Sequence, residues 1–458
     1  MMKGAVSTIL DAIGRTPIVK LQKVAAHVAA EIYVKCEYMN PAGSMKDRVA
    51  VSIVRDAERR GLLGPGGTIV EATSGNTGMG LAQVAAIRGY QCIFVMPDKM
   101  SQEKIASLRA FGAKVVICPT AVEPDDPRSY YEVTKRIVRE TPGAFHANQY
   151  YNPANPEAHY TSTAPEIWQQ TGGEVDVFVA GMGTGGTISG CGKFFKEKKP
   201  GFKVVGVDPI GSLYYEYVKT GRMTKPFSYY VEGIGEDFLP GTMNLGLIDE
   251  IVRVDDKECF LMTRELVRQE GIYCGGSGGA AVAGAIRYAE HSKKKENILI
   301  LLPDSAQKYL SKIFDDKWMR ENGFLDEEDP LGTVADLIKS KRQRELITAQ
   351  KGETIRKVIG AMKEFGISQV PVLDGPKLVG ILAEVDLLNH LVGEGKLDDV
   401  IDPLIEADYQ TVTPATKIKL LKNVFNDAKV ICVKDGEELV SVITKIDLID
   451  YLASRRAA

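Results

Sequence analysis

The sequence predicts an α/β protein with open, mostly parallel sheets, followed by a smaller α+β module built from a repeat. Three observations lead there. Short β-branched runs alternate with longer amphipathic stretches up to about residue 315, the pattern of buried parallel strands joined by helices. The composition turns polar and acidic at RENGFLDEEDP, residues 320–330. Beyond it one segment occurs twice: VGILAEVDLLNHL (379–391) aligns with VSVITKIDLIDYL (440–452).

Each element has a local reason. Ile32, Tyr33 and Val34 form an apolar strand, and Asn40-Pro41-Ala42-Gly43 forms a turn. A helix-compatible apolar run covers 49–57. Further strands fall at 67–70, 92–95, 114–117, 175–180, 204–207 and 298–302, with amphipathic stretches at 78–88 and 103–111. In the repeat, Asp374-Gly375 and Asp435-Gly436 stand at the same offset, so each copy reads strand, tight turn, strand, helix. Two copies make one pseudo-twofold module and are too few for a solenoid. The boundaries expected are a main domain of two subdomains over 1–320, a linker over 321–337 and the repeat module over 338–458. Its halves are 338–394 and 395–458.

Composition narrows the function classes. The 458 residues suit several domains with a substantial core. A net charge of -3 gives no field favouring nucleic acid or acidic membranes. No apolar stretch reaches membrane-spanning length, and the start, MMKGAVSTILDAIGRTP, is too short and polar for a secretory signal. The seven cysteines are odd in number and lack a CxxC pair, which fits reduced thiols in the cytoplasm. The five histidines show no metal-ligand spacing, so no metal is expected.

Four stretches carry chemistry. Lys46, in PAGSMKDR (41–48), stands at a loop-to-helix junction beside Gly43 and Ser44. An amine turned there into a pocket loses hydration, its pKa falls, and it can form a Schiff base. A solvated surface lysine is the alternative. Gly181, Gly183 and Gly186 spell GxGxxG between a strand and a helix, with Asp208 ending the next strand. Glycines and a helix N-terminus suit a phosphate, of a dinucleotide or of another ligand. Thr184 and Thr187 add hydroxyls suited to a terminal phosphate. A third loop, EATSGNTGMG (71–80), offers Thr73, Ser74, Gly75, Asn76 and Thr77 at a helix start. This suits a carboxylate and exceeds what an ordinary N-cap needs. A fourth, CGGSGGAA (274–281), places Ser277 where it caps a helix or faces a ligand.

Together and in this order these stretches resemble the pyridoxal-phosphate (PLP) enzymes of fold type II, the cysteine synthase and cystathionine β-synthase group. The likeness covers about residues 5–320. VEGIGEDFLP (231–240), LPDSAQKYLSKIFDDKW (302–318) and the repeat module side with the cystathionine β-synthase branch. The resemblance implies roles residue by residue. Lys46 is the Schiff-base lysine and general base. Gly183, Thr184, Gly185, Gly186 and Thr187 cradle the PLP phosphate. Asn76 bonds the ring hydroxyl, and Ser277 faces the pyridine nitrogen. Thr73, Ser74, Gly75, Thr77 and Gln149 hold the substrate carboxylate, with Tyr150, Glu232 and Gly233 also in the substrate site. Glu236 stands where animal and yeast relatives usually have tyrosine. The chain begins almost at the catalytic fold, leaving no room for a haem-binding extension, so no haem is expected.

The implied reaction is β-replacement, L-serine plus L-homocysteine giving L-cystathionine, with hydrogen sulfide release from cysteine on the same site. The implied assembly is a homodimer or homotetramer. The repeat resembles a tandem CBS-motif (Bateman) module. Its second copy has the adenosyl-binding [ST]xxD pattern as Thr444 and Asp447, whereas the first has Ala383 and Asp386. S-adenosylmethionine is the regulator implied, and a purely structural module is the alternative. The rivals for the main domain are a cysteine synthase using O-acetylserine and sulfide, a nicotinamide oxidoreductase, and an inert adenosyl-ligand sensor.

Overall fold

Ten strands, β1 (Ile18–Lys20), β2 (Glu31–Cys36), β3 (Thr68–Ala72), β4 (Gln91–Pro97), β5 (Lys114–Cys118), β6 (Ala144–His146), β7 (Val177–Gly181), β8 (Lys203–Pro209), β9 (Glu250–Val254) and β10 (Asn297–Leu302), form two sheets. One has the order β1-β2-β10-β7-β8-β9 and the other β5-β4-β3-β6. Only β1, against β2, runs antiparallel. The computed structural model describes residues 2, 4–73, 75–98, 100–119, 122, 126–325, 331–341 and 345–456. It divides into two compact units, Met1–Asp326 and Glu327–Ala458.

Helices cover both faces of the sheets, so the central strands are largely apolar. In β10, Ile298 to Leu302 are at most 2% exposed. The strands end on loops at 73–75, 147–153, 182–185 and 303–305. At such carboxyl ends a ligand crevice opens.

One polar knot ties β2 to two of the helices packed beside it. Arg48, from the helix Lys46–Arg59, bonds Glu37 through two nitrogens at 2.8 Å and Glu166 through two at 3.0 Å. Lys35 of β2, fully buried, donates to Glu166 at 2.5 Å and to the Thr16 carbonyl at 2.6 Å. Buried charges survive only when paired in this way.

The second unit contains two three-stranded sheets of identical plan. In one, β11 (Ala349–Gln350) runs parallel to β12 (Gln369–Asp374), which pairs antiparallel with β13 (Lys377–Ala383). The other repeats this with β14 (Gln410–Val412), β15 (Val430–Asp435) and β16 (Glu438–Thr444). Each hairpin places glycine first in a two-residue loop, with φ +61° at Gly375 and +58° at Gly436, as a type II′ turn needs. The linker span contributes structure here. Helix Val334–Ser340 buries Val334 and Leu337 among Ile418, Leu421 and Ile431 of the second sheet's core. Their three-residue spacing puts both on one helix face.

All seven cysteines are buried and unbridged. Among the described residues no helix is long and apolar enough to cross a membrane, and no His, Cys, Asp and Glu cluster suits a metal.

Candidate active site

Lys46 is the first residue of its helix. The turn before it is closed by Asp47, whose carboxylate accepts from the Ala42 N–H at 2.6 Å. The Met45 N–H donates to the Pro303 carbonyl at 2.9 Å, and Ser44 pairs with Asp304, so the lysine is docked onto the end of β10. Gly80 lets the neighbouring helix approach, because a Cβ there would lie 2.8 Å from the Lys46 carbonyl oxygen. Burial pushes the Lys46 amine down to about 8, against the pull of the Asp304 and Glu236 carboxylates. Among the described residues the amine makes no hydrogen bond or ion pair. Its neutral form, the one that attacks carbonyls, is therefore reached closer to neutral pH than that of an ordinary lysine. Its reaction with a small aldehyde, trapped with borohydride and mapped by peptide, should rise through pH 8 and then level. A rate still climbing at pH 10 would mark an ordinary lysine.

The loop after β3 turns sharply at Gly75, φ +124°, and starts the helix Asn76–Arg88. Thr73 Oγ1 accepts from the Gly75 N–H at 3.0 Å and the Gly78 N–H at 3.3 Å, which leaves its own proton for a ligand. Thr77 donates to Gln149 Oε1 at 2.5 Å, and Gln149 Nε2 donates to the Ala72 carbonyl at 3.2 Å. The turn carrying Gln149 and Tyr150 is itself held by Glu71, which accepts the Asn148 N–H at 2.6 Å and the Gln149 N–H at 3.1 Å. Ser74 lies outside the described residues.

The loop after β7 opens the helix Gly186–Lys198, with Gly185 at φ +83°. Asn155 Nδ2 donates to Thr184 Oγ1 at 3.1 Å and to the Gln149 carbonyl at 2.8 Å, joining this loop to the previous one. Thr242 Oγ1 bonds the Thr184 carbonyl at 2.6 Å, and the Tyr214 hydroxyl donates to the Gly183 carbonyl at 2.7 Å. Thr187 Oγ1 lies 3.1 Å from His159 Nε2 and 3.3 Å from Met45 Sδ, next to Lys46. Burial, with the Lys46 and Arg48 charges, holds His159 well below the usual histidine range, so it is a neutral imidazole. It sits in a π-helical turn, His159–Thr163, a feature frequent at functional sites. The glycines are required. A Cβ at Gly185 would come within 2.6 Å of Met243, one at Gly183 within 2.8 Å of the Gly233 carbonyl oxygen, and one at Gly186 would overlap Asn155 Oδ1. Gly186→Ala should destabilise the fold by about 1–3 kcal/mol through overpacking, read by urea unfolding. An unchanged midpoint would show that Asn155 can yield.

Ser277 is buried in the first turn of the helix Gly276–Ser292. The helix start is joined to β10 by the Gly275 N–H, which donates to the Asp304 carbonyl at 2.9 Å. Asp304 also accepts from Asn76 Nδ2 at 2.8 Å and the Tyr309 hydroxyl at 2.7 Å. Through Asp304, the Lys46 turn, the Asn76 loop and the Ser277 helix meet at one place. Glu232, with the exposed Gly233 beside it, is bound by Lys104 at 2.6 Å and Lys312 at 2.8 Å. Burial raises its pKa, and these two lysines outweigh that and hold the carboxyl below its ordinary range. Glu236 faces Tyr130, Tyr131, Tyr150, Tyr214 and Tyr229, and its charge adds to burial in keeping those phenols protonated. Thr444 and Asp447 belong to the other unit.

Residues 9–304 match the model of the pyridoxal-phosphate dependent enzymes. The chain belongs to that family. The PLP family's fold type II accounts for the two mostly parallel sheets, and residues 334–393 match the CBS domain. The chain is 38% identical to the cystathionine β-synthase of Dictyostelium discoideum over 97% of this chain and 92% of that one. Two solved structures are similar, each with a TM-score of 0.63. The O-acetylserine dependent cystathionine β-synthase from Helicobacter pylori is 36% identical, with 68% of this chain and 99% of that one covered. A hydrogen sulfide-producing enzyme from Fusobacterium nucleatum is 37% identical, with 67% and 100% covered.

The residues present fit PLP. A buried amine with a lowered pKa, a glycine-rich loop opening a helix N-terminus, and the Thr184 and Thr187 hydroxyls lie together. Sequence reasoning missed Asp304, Asn155 and His159. For Asp304 a signal exists: a charged residue directly after an apolar parallel strand stands at the ligand crevice.

Proposed function

We propose that this enzyme condenses L-serine with L-homocysteine to L-cystathionine by β-replacement. The observation that carries it is the meeting of the Lys46, Asn76 and Ser277 segments at Asp304, beside the glycine loop 183–187. Bound there, PLP supplies an electron sink at the substrate Cα. Residues 183–187 offer backbone N–H groups and the Thr184 and Thr187 hydroxyls to its phosphate. Asn76 donates to its ring oxygen, and Ser277 faces its pyridine nitrogen. A hydroxyl there does not enforce a protonated ring, which suits β-elimination better than transamination. Thr73, Ser74, Gly75, Thr77 and Gln149 orient the substrate carboxylate, Thr77 by holding Gln149, whose side-chain oxygen accepts its hydroxyl proton. Lys46 Nζ takes the Cα proton as general base. Tyr150, Glu232 and Gly233 line the space for the second substrate.

Similarity to a cystathionine β-synthase over 97% of this chain favours that reaction over cysteine synthesis, since the second unit is part of the match. Turnover is to be compared for serine plus homocysteine, O-acetylserine plus homocysteine, and O-acetylserine plus sulfide. Cystathionine from serine at the highest kcat/KM is expected. Preference for O-acetylserine plus sulfide would make the protein a cysteine synthase. Hydrogen sulfide release from cysteine plus homocysteine follows from the same site. The second unit is proposed as a regulatory site for S-adenosylmethionine, held by Thr444 and Asp447. The Thr444 hydroxyl donates to Asp447 at 2.7 Å, and Lys341 lies 3.3 Å from that carboxylate. Saturating S-adenosylmethionine should raise Tm, and no shift would leave the module structural.

A further inference from the structure

Lys308 is a buried lysine that the reaction as described does not use. Its ammonium donates to Asn76 Oδ1 at 2.7 Å, to the Gly43 carbonyl at 3.1 Å and to the Ala42 carbonyl at 3.3 Å. Those three bonds use all its protons, so none remains for a ligand. On the other side of the same amide, Asn76 Nδ2 donates to Asp304 Oδ2 at 2.8 Å. Asp304 is fixed in turn by the Tyr309 hydroxyl at 2.7 Å.

We propose that Lys308 is a positioning residue, which with Asp304 locks the Asn76 amide so that one N–H faces the cofactor's ring oxygen. A lysine only donates and a carboxylate only accepts. Turning the amide over would set its NH2 against the ammonium and its oxygen against the carboxylate. One orientation is therefore allowed. In it Asp304 takes one of the two Nδ2 protons and the other is held for the ligand. Lys308 also pins the 42–43 carbonyls in the turn before Lys46, so one side chain orients parts of two cofactor contacts.

The inference rests on assigning Asn76 to the cofactor, and a double-mutant cycle on cofactor affinity separates the two. The Kd of PLP for apo protein is measured for wild type, Asn76→Ala, Lys308→Met and the double variant. Each single change should weaken binding about tenfold, and the double variant should lose at most about twofold more than Asn76→Ala. Lys308→Gln keeps a neutral donor, should lose only about threefold, and replaces Lys308→Met in the cycle if the latter does not fold. An equal loss on adding the Lys308 change to either background would overturn the inference, because Lys308 would then act independently of Asn76. So would unchanged affinity in the Lys308 variants. Unchanged affinity in Asn76→Ala would remove the Asn76 assignment, and the inference with it.

Discussion

Lys46→Ala should lower kcat by at least about 10³-fold while the protein stays folded. Loss of a positioned general base alone is worth about 10²–10⁴ in rate. Here the same amine is also the predicted covalent anchor. Lys308 cannot replace it, because its ammonium is already shared among Asn76 and the carbonyls of Ala42 and Gly43. The substitution breaks no hydrogen bond or ion pair, since Lys46 Nζ makes none among the described residues. The variant should keep its unfolding midpoint and still bind PLP through the 183–187 loop, but without an adduct that borohydride fixes. Small primary amines in the buffer should restore part of the rate. Full turnover by Lys46→Ala would move the catalytic centre elsewhere.

Arg48→Met should cost about 3–5 kcal/mol of stability, the price of leaving buried carboxylates without their cation. Glu37 is fully buried, and Arg48 is its only cationic partner among the described ion pairs. Arg48→Lys should lose nearly as much, because a point charge cannot bridge two carboxylates as a planar fork does. The effect is pH-dependent. Burial raises Glu166, but bonds from Arg48 and Lys35 overcome this and hold its carboxyl at about 2, below its ordinary value of 4.5. That increment is present in full above about pH 4.5 and lost as the pH falls towards 2. The stability gap between wild type and Arg48→Met, measured by urea unfolding at several pH values, should narrow below about pH 4.5. A gap independent of pH would place the loss in packing alone.

What the sequence shows and what it hides divide along physical lines. Lys46, the 73–77 loop, the 183–187 loop and Ser277 are legible because each stands where an apolar run meets a small-residue helix start. The repeat is legible as twin three-stranded sheets for the same local reason. The layer behind the ligand-facing residues is not. Asn155 supports Thr184, and His159 supports Thr187, across 29 and 28 positions. Asp304 reaches Asn76 across 228. Periodicity tells which face of an element is buried, not which distant element it meets. The helix Val334–Ser340 is obscured by the acidic run before it, although Val334 and Leu337 mark its inner face.

The pairing of β2 with β10 sets a schedule for making the protein. Glu31 lies opposite Asn297, so an early strand waits for a partner 266 residues later. At about 5–20 residues per second, a ribosome needs about 13–53 s to supply it. Through that interval β2 can be lined only by β1, with one edge unpaired and its apolar side chains uncovered. Residues 298–308 complete both the sheet and the Asn76 clamp, so the catalytic centre assembles last. A nascent chain stalled short of them should neither take up PLP nor resist proteases, and it would present the kind of open strand edge that chaperones guard.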